Sequence, residues 1–129
     1  MIVIDTSALM AIMLEEPEAA ICLAAMGDQR VLISAGTMSE ALVVAAGRRS
    51  IEQMSALMDE LDLEVIDLTP ESAGLVGMAY ASWGKGIHPA GLNFGDCFAY
   101  QLASERGLPL LYIGNDFART DVRSALPIR

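Results

Sequence analysis

Apolar residues along the chain follow two alternating patterns. Short runs rich in Val, Ile and Leu predict strands, and longer segments with apolar residues three and four positions apart predict helices. This alternation is typical of an α/β fold with a mostly parallel sheet of four to five strands. The predicted strands are IVI at 2–4, VLIS at 31–34, EVIDL at 64–68 and LLYI at 110–113, with the terminal PIR at 127–129 as a candidate edge strand.

Capping residues set the predicted helix boundaries. Thr37 and Glu40 have capping-box spacing, as do Ser50 and Gln53. Thr69 precedes a proline that suits the first helical position. The predicted helices cover 7–14, 18–27, 37–47, 50–61, a segment that begins after Thr69, and 94–106 capped by Asn93. A glycine-rich loop over 82–95 is the one clear interruption.

Length and composition favour a single globular domain over 1–129. The chain is 53% hydrophobic with a mean hydropathy of +0.43, and 129 residues suffice to bury a core. No apolar stretch reaches the roughly 18 residues that span a bilayer, and no basic residue precedes the first apolar run, as a secretory signal would require. We therefore expect a cytoplasmic protein.

Cysteine and histidine are too few for a thiolate zinc site. Cys22 and Cys97 stand far apart without a CxxC pair, and His88 is the sole histidine. We expect both cysteines to be buried free thiols.

The net charge of the chain supports two opposed interpretations. The net charge is −9, from 17 acidic and 8 basic residues. By itself this disfavours nucleic-acid binding, which usually shows a basic footprint. The same excess supplies many oxygen ligands for hard cations.

Four acidic residues are predicted to meet at one edge of the sheet. Asp5 ends the first strand, Glu40 lies early in the helix after the second, and Asp116 follows the fourth. Asp96 joins them if its helix enters from the same side. The carboxyl ends of parallel strands share one edge, where ligands bind. Clustered carboxylates repel one another unless a divalent ion such as Mg²⁺ or Mn²⁺ neutralises them, and such sites suit phosphodiester hydrolysis.

Each acid also has a simpler structural explanation. Asp5 could merely cap the first helix, and Glu40 could be the capping-box partner of Thr37. Asp96 could be an ordinary first-turn acid, and Asp116 could form an Asx turn. Only their joint placement indicates a metal site.

Several motifs resemble a known family. The opening IVIDTSAL, the isolated Glu40, the segment LNFGDCFAYQLA and the closing GNDF are similar to PIN-domain ribonuclease toxins of the VapC type, in the same order and from end to end. The resemblance implies a three-layer α/β/α sandwich and an acidic site for Mg²⁺, with Mn²⁺ as a possible substitute. It also implies endonucleolytic cleavage of structured RNA, either tRNA or rRNA, neutralisation by a cognate VapB-type antitoxin, and a homodimer.

The same resemblance assigns roles to individual residues. The implied catalytic and metal-binding acids are Asp5, Glu40, Asp96 and Asp116, with supporting roles for Thr6, Ser7 and Asn115. Separately from the resemblance, the placement of the basic residues makes Arg48, Arg49, Lys85 and Arg119, with Arg123 nearby, candidate phosphate contacts; solvated surface charge is the alternative for each. Ile87 and Ile113 stand where relatives often carry a base, which bears on the substrate more than on the catalytic site.

Two other functions remain open. A phospho-acceptor or phosphatase domain would use Asp5 as nucleophile, but such sites want a second aspartate two residues later, where Ser7 stands, or a lysine after the last strand, which is missing here. A catalytically silent binding module would use the acids only as helix caps.

Overall fold

The computed structural model describes residues 1–127 of the chain, which form a four-stranded parallel sheet and six helices. The strands are β1 (Ile2–Ile4), β2 (Val31–Ser34), β3 (Glu64–Ile66) and β4 (Leu110–Leu111). The helices are α1 (Thr6–Met13), α2 (Ala19–Met26), α3 (Ala35–Gly47), α4 (Ile51–Glu60), α5 (Pro70–Trp83) and α6 (Phe94–Arg106). The strand order is β3-β2-β1-β4, with every neighbouring pair parallel.

Helices cover both faces of the sheet. Ile2, Ile4 and Ile33 point into one core together with residues of α1, α2, α3 and α4. Val3 and Leu32 point into a second core formed with α5 and α6. Because both faces are buried, the central strands do not alternate between apolar and polar positions: every residue of β1 and β2 is buried, and all are apolar except Ser34 at the end of β2. The predicted α/β/α sandwich is confirmed.

The start of α3 differs from the prediction. The helix begins at Ala35, because the Ser34 hydroxyl caps it by accepting the Gly36 N–H at 3.1 Å. Thr37 therefore lies inside the helix, and the predicted capping box of Thr37 with Glu40 is wrong. The Thr37 hydroxyl is fully buried without a hydrogen-bond partner among the described residues.

Other caps agree in position but not always in chemistry. Thr69 and Asn93 both form capping boxes at their helices, as their placement predicted. Ser50 occupies the N-cap of α4, but its hydroxyl donates to the Arg48 carbonyl and caps nothing. The local turn competes for the hydroxyl there.

Two strands are shorter than predicted. β3 ends at Ile66 and β4 at Leu111, since the chain beyond each finds no further ladder partner. Past β4 the Ile113 N–H instead donates to a side chain, the Ser7 hydroxyl. The candidate edge strand at 127–129 falls on residues 128 and 129, which lie outside the described residues.

Two glycines allow α3 and α6 to interlock. The Phe98 ring of α6 lies on Gly36, and the Glu40 carboxylate of α3 lies on Gly95. A Cβ atom at either glycine would overlap the side chain that occupies its place. This reciprocal packing brings the backbones close and presses an acid against the first turn of α6, where the helix dipole favours negative charge.

Cysteine placement agrees with the sequence prediction. Cys22 and Cys97 are both buried and unpaired, in the two different cores. Across the described part of the chain, no helix has the length and apolar character needed to cross a membrane.

Replacing Gly36 with alanine should destabilise the fold by about 1–3 kcal/mol, because the new methyl group displaces the Phe98 ring. The matched control is Gly74→Ala on α5, where a Cβ meets nothing within 4 Å. That change should be neutral or stabilising by up to about 1 kcal/mol. Urea denaturation of both variants measures the difference, and equal midpoints would contradict the interlocking of α3 and α6.

Candidate active site

The candidate site lies at the carboxyl edge of the sheet, where separate chain segments each deliver one acid. Asp5 directly follows β1 and is the N-cap of α1. Glu40 lies in the second turn of α3, which starts immediately after β2. Asp116 follows β4, and Asp96 lies in the first turn of α6. The sheet topology therefore explains three of the four acids, and the position of the α6 N-terminus explains the fourth.

Asp5 is almost completely buried, at 3% exposure. Its Oδ2 accepts hydrogen bonds from the Ser7 backbone N–H at 3.0 Å and from the Ser7 hydroxyl at 2.7 Å. Its Oδ1 is buried with no partner among the described residues. Burial raises the pKa of Asp5 to about 6. The Ser7 hydrogen bonds oppose that rise, and the negative charge of Glu40 adds to it.

Asp96 has the most perturbed carboxyl group of the site. Its Oδ2 accepts the Asn93 N–H at 3.0 Å, while its own N–H donates to Asn93 Oδ1 at 2.8 Å. The pKa of Asp96 is raised to about 7, mainly by burial; the Asn93 hydrogen bond opposes this rise, and the charges of Asp5, Asp116 and Glu40 add to it. All four predicted acids are therefore close enough to interact electrostatically.

Glu40 is held by contacts on both sides of its carboxylate. The Thr6 hydroxyl donates to Oε1 at 2.6 Å. The same carboxylate lies on Gly95, beside Asp96 in the first turn of α6. Thr6 and Ser7 thus serve different acids: Thr6 bonds Glu40 and Ser7 bonds Asp5.

Ser7 also ties the last acidic segment to the site. Its hydroxyl accepts the Ile113 N–H at 3.0 Å while donating to Asp5. Directly after Ile113 the chain turns at Gly114, whose φ of 95° suits glycine. Asn115 and Asp116 follow, and both are exposed. One hydroxyl therefore connects the buried acid to the segment that carries the exposed one.

Capping and ligand binding coexist at this site. Asp5 and Asp96 do cap their helices, as the simpler explanation proposed. Capping uses Oδ2 of Asp5 and leaves Oδ1 buried without a partner. An orphaned carboxylate oxygen in the interior is costly unless something else binds it.

The donor set fits a hard divalent cation. Its members are carboxylate oxygens, which Mg²⁺ and Mn²⁺ prefer. The one ion pair found within residues 1–127 joins Arg30 to Glu64, so none of the four acids has a basic partner there. In that part of the chain no three acidic, histidine or cysteine side chains already converge on a single point.

The four candidate phosphate contacts are all exposed: Arg48, Arg49, Lys85 and Arg119. Arg48 is the C-cap of α3, eight residues beyond Glu40 and thus about 12 Å further along the helix axis. Arg119 follows Asp116 by three residues. The Arg48–Arg49 pair is therefore remote from the acids along α3, whereas Arg119 is close to them in the chain.

A chain of hydrogen bonds joins Trp83, Tyr100 and Asp121 and was not predicted. Trp83 Nε1–H donates to the Tyr100 hydroxyl at 2.9 Å, and that hydroxyl donates to Asp121 Oδ1 at 2.7 Å. His88 packs edge-on against Trp83, and its Nδ1 accepts the Ala90 N–H. These residues are widely separated in sequence, so no spacing rule signals them.

Comparison with known proteins shows the family of this chain. The PIN domain family matches residues 2–123. VapC ribonuclease Mb0625 of Mycobacterium bovis is 40% identical over 132 residues, covering 98% of this chain and 99% of the relative. This chain belongs to the VapC ribonucleases of the PIN domain family. Ribonuclease VapC28 of Mycobacterium tuberculosis matches equally, and ribonuclease VapC of Mycolicibacterium smegmatis is 37% identical, covering 93% of this chain and 96% of its own.

Solved structures of a VapC protein and of a toxin–antitoxin complex share the fold. VapC20 of Mycobacterium tuberculosis, described as a toxin that cleaves the sarcin–ricin loop, superposes with a TM-score of 0.78 at 16% identity and covers 98% of this chain. A toxin–antitoxin complex from Klebsiella pneumoniae has a TM-score of 0.74 at 19% identity over 99% of this chain. Membership in the VapC family makes the protein a ribonuclease, and therefore a hydrolase.

Ionisation of Asp96 should destabilise the metal-free protein. Its folded pKa of about 7 lies above the unfolded value near 4, so stability is present at low pH and is lost as pH rises towards 7. Asp96→Asn removes that loss. We expect the variant to melt at least about 3 °C above the unaltered protein at pH 8 in EDTA, and to show a much smaller advantage at pH 4.5, where most of the loss has not yet developed.

The control is Asp59→Asn, an exposed position on α4. It should move the melting temperature little at either pH. An Asp96→Asn advantage that is equal at both pH values would contradict a cause in ionisation. Calorimetry in EDTA measures all three proteins.

Replacing Ser7 with alanine should lower stability by about 1–3 kcal/mol, because the buried Asp5 carboxylate loses a donor and the Ile113 N–H loses its acceptor. Ser55→Ala, at an exposed position on α4, is the control and should change stability by less than about 0.5 kcal/mol. Amide hydrogen exchange at Ile113 should quicken in the first variant only. Unchanged protection of the Ile113 amide would contradict its hydrogen bond to the Ser7 hydroxyl.

Proposed function

We propose that this protein is the toxin of a type II toxin–antitoxin system and acts in the cytoplasm as a single-domain, Mg²⁺-dependent endoribonuclease. The observation that carries the proposal is the raised pKa of one carboxyl group, that of Asp96. The pKa of Asp96 is raised by burial and by three further acids from distant parts of the chain. A residue that only caps a helix does not require three further acids close to it.

The chain's own residues prepare this site in defined ways. Asp5, Glu40, Asp96 and Asp116 would hold Mg²⁺, with Mn²⁺ as a substitute. A bound ion would supply Lewis-acid activation of water and neutralise charge at the attacked phosphate. Thr6 and Ser7 orient two of the carboxylates, leaving Asp5 Oδ1 directed at no protein donor. Asn115 would help to orient the Asp116 segment.

The substrate we propose is structured RNA, either tRNA or an rRNA loop. VapC20, whose fold this chain shares, is described as cleaving the sarcin–ricin loop. Arg48, Arg49, Lys85 and Arg119 are exposed and could contact phosphates around the cleft. Of the four, Arg119 is best placed, since it follows Asp116 closely.

We propose two protein partners, a VapB-type antitoxin and a second copy of the chain. The structures from Klebsiella pneumoniae and of VapBC2 from Rickettsia felis are toxin–antitoxin complexes. For the homodimer, Leu75 and Met78 lie three residues apart on α5 and are 37% and 66% exposed. Large apolar side chains exposed side by side on a helix are typical of interfaces.

Substituting either Asp5 or Asp96 with asparagine should reduce RNA cleavage by at least a hundredfold, because each change removes a charged ligand. EDTA should have the same effect on the unaltered protein, and added Mg²⁺ or Mn²⁺ should reverse it. Mapping new 5′ ends in total RNA after induction in cells identifies the cleaved bond. Asp59→Asn is the control and should cleave normally.

Two results would contradict this proposal. Full cleavage by the Asp5→Asn, Asp96→Asn double variant in EDTA would exclude the carboxylate mechanism. Titration with Mn²⁺ that gives neither heat nor a higher melting temperature would favour a silent binding module, because a ligand of the native state must raise its stability.

A further inference from the structure

An apolar groove opens directly beside the carboxylates. It lies between α3 and α6, has a volume of about 510 Å³, and its walls include Val43, Leu68, Phe94 and Phe98. Glu40 and Gly95 also line it. Because the Glu40 carboxylate lies on Gly95 next to Asp96, the groove is continuous with the candidate active site.

Phe94 presents an uncovered ring to this groove. The side chain is 70% exposed, although the neighbouring Phe98 meets it edge-on at a centroid distance of 4.8 Å. Its position beside the α6 capping box fixes the backbone that carries it. Among the described aromatic residues, only Tyr80 is also exposed, at 39%, and it lies outside the groove.

The charge of the chain limits how it can bind RNA. Seventeen acids against eight bases give a net charge of −9, so phosphate contacts cannot supply affinity as they do in basic proteins. Apolar stacking of bases on aromatic rings is independent of that balance, and it is the usual way that unpaired RNA bases are held.

Covalent geometry connects the two features. A nucleotide whose phosphate lies at the acids carries its base one ribose away, and the groove begins at one of those acids, Glu40, which forms part of its lining. The groove lining is almost entirely apolar, with Glu40 as its one charged residue. Such a lining suits the faces of a base and excludes a second phosphate.

We infer that this groove binds one unpaired nucleobase of the RNA, next to the scissile phosphate, by stacking it on Phe94. The inference rests on the proposed ribonuclease function and adds a base-binding subsite to it. An apolar groove of this kind could also receive a second copy of the chain, and the test separates the two.

The probes are adenosine 5′-monophosphate and ribose 5-phosphate, which share a phosphate and a ribose but differ in the base. Each is titrated into the full-length, ¹⁵N-labelled protein with Mg²⁺, following the amide resonances of residues 94–98. We expect the nucleotide to bind at least tenfold more tightly than the sugar phosphate. Phe94→Leu should abolish this tenfold difference, whereas Phe94→Trp should keep it.

Leucine is the informative substitution, because it preserves an apolar surface for a protein partner but removes the ring. Phe94 is exposed, so neither variant threatens the core. Tyr80→Leu is the control and should leave both affinities unchanged. Light scattering of each variant records its oligomeric state.

Equal binding of the two probes to the unaltered protein would overturn the inference, as would a tenfold difference that survives Phe94→Leu. A dimer that dissociates on Phe94 substitution while the nucleotide titration stays unaltered would also overturn it, in favour of a second copy. Failure to cleave RNA would sink the ribonuclease proposal alone, since probe binding is measured without cleavage.

Discussion

The cost of burying two carboxyl groups next to further acids is the constraint on which the structure of the site depends. Asp5 and Asp96 are each less than one-tenth exposed, and both pKa values are raised by burial and by neighbouring acids. The sheet and α6 tolerate this because Ser7, Thr6 and Asn93 each donate to one carboxylate. These hydrogen bonds do not neutralise the negative charge of the carboxylates, and the remaining charge would attract a cation.

The packing of α3 against α6 contributes to the stability of the fold and also sets the geometry of the site. Gly36 admits an aromatic ring from α6, and Gly95 admits an acid from α3. The first contact belongs to packing and the second to chemistry, yet both depend on the same separation of the two helices. Stability and ligand arrangement are therefore coupled through backbone distance, and a residue far from the acids can still disturb them.

Much of this was predictable from sequence because the relevant signals are local. Apolar runs located β1 and β2, the caps at Thr69 and Asn93 were predicted correctly, and the expectation of a parallel sheet, whose strands share one carboxyl edge, grouped Asp5 with Asp116. The errors arose where two polar residues compete for one role. Ser34 displaced Thr37 as the cap of α3, and a carbonyl claimed the Ser50 hydroxyl. Long-range pairs such as Thr6 with Glu40 have no signature in the spacing of residues.

The segment that carries Asp116 is fastened at both ends. Ser7 holds it at Ile113, and Tyr100 holds it through Asp121. A short span clamped between two fixed points has little freedom to move, so the backbone that carries Asp116 would lose little conformational entropy on binding a cation. Trp83, the chain's single tryptophan, sits on the second clamp. Its fluorescence emission would therefore change if the segment between Ile113 and Asp121 became more mobile.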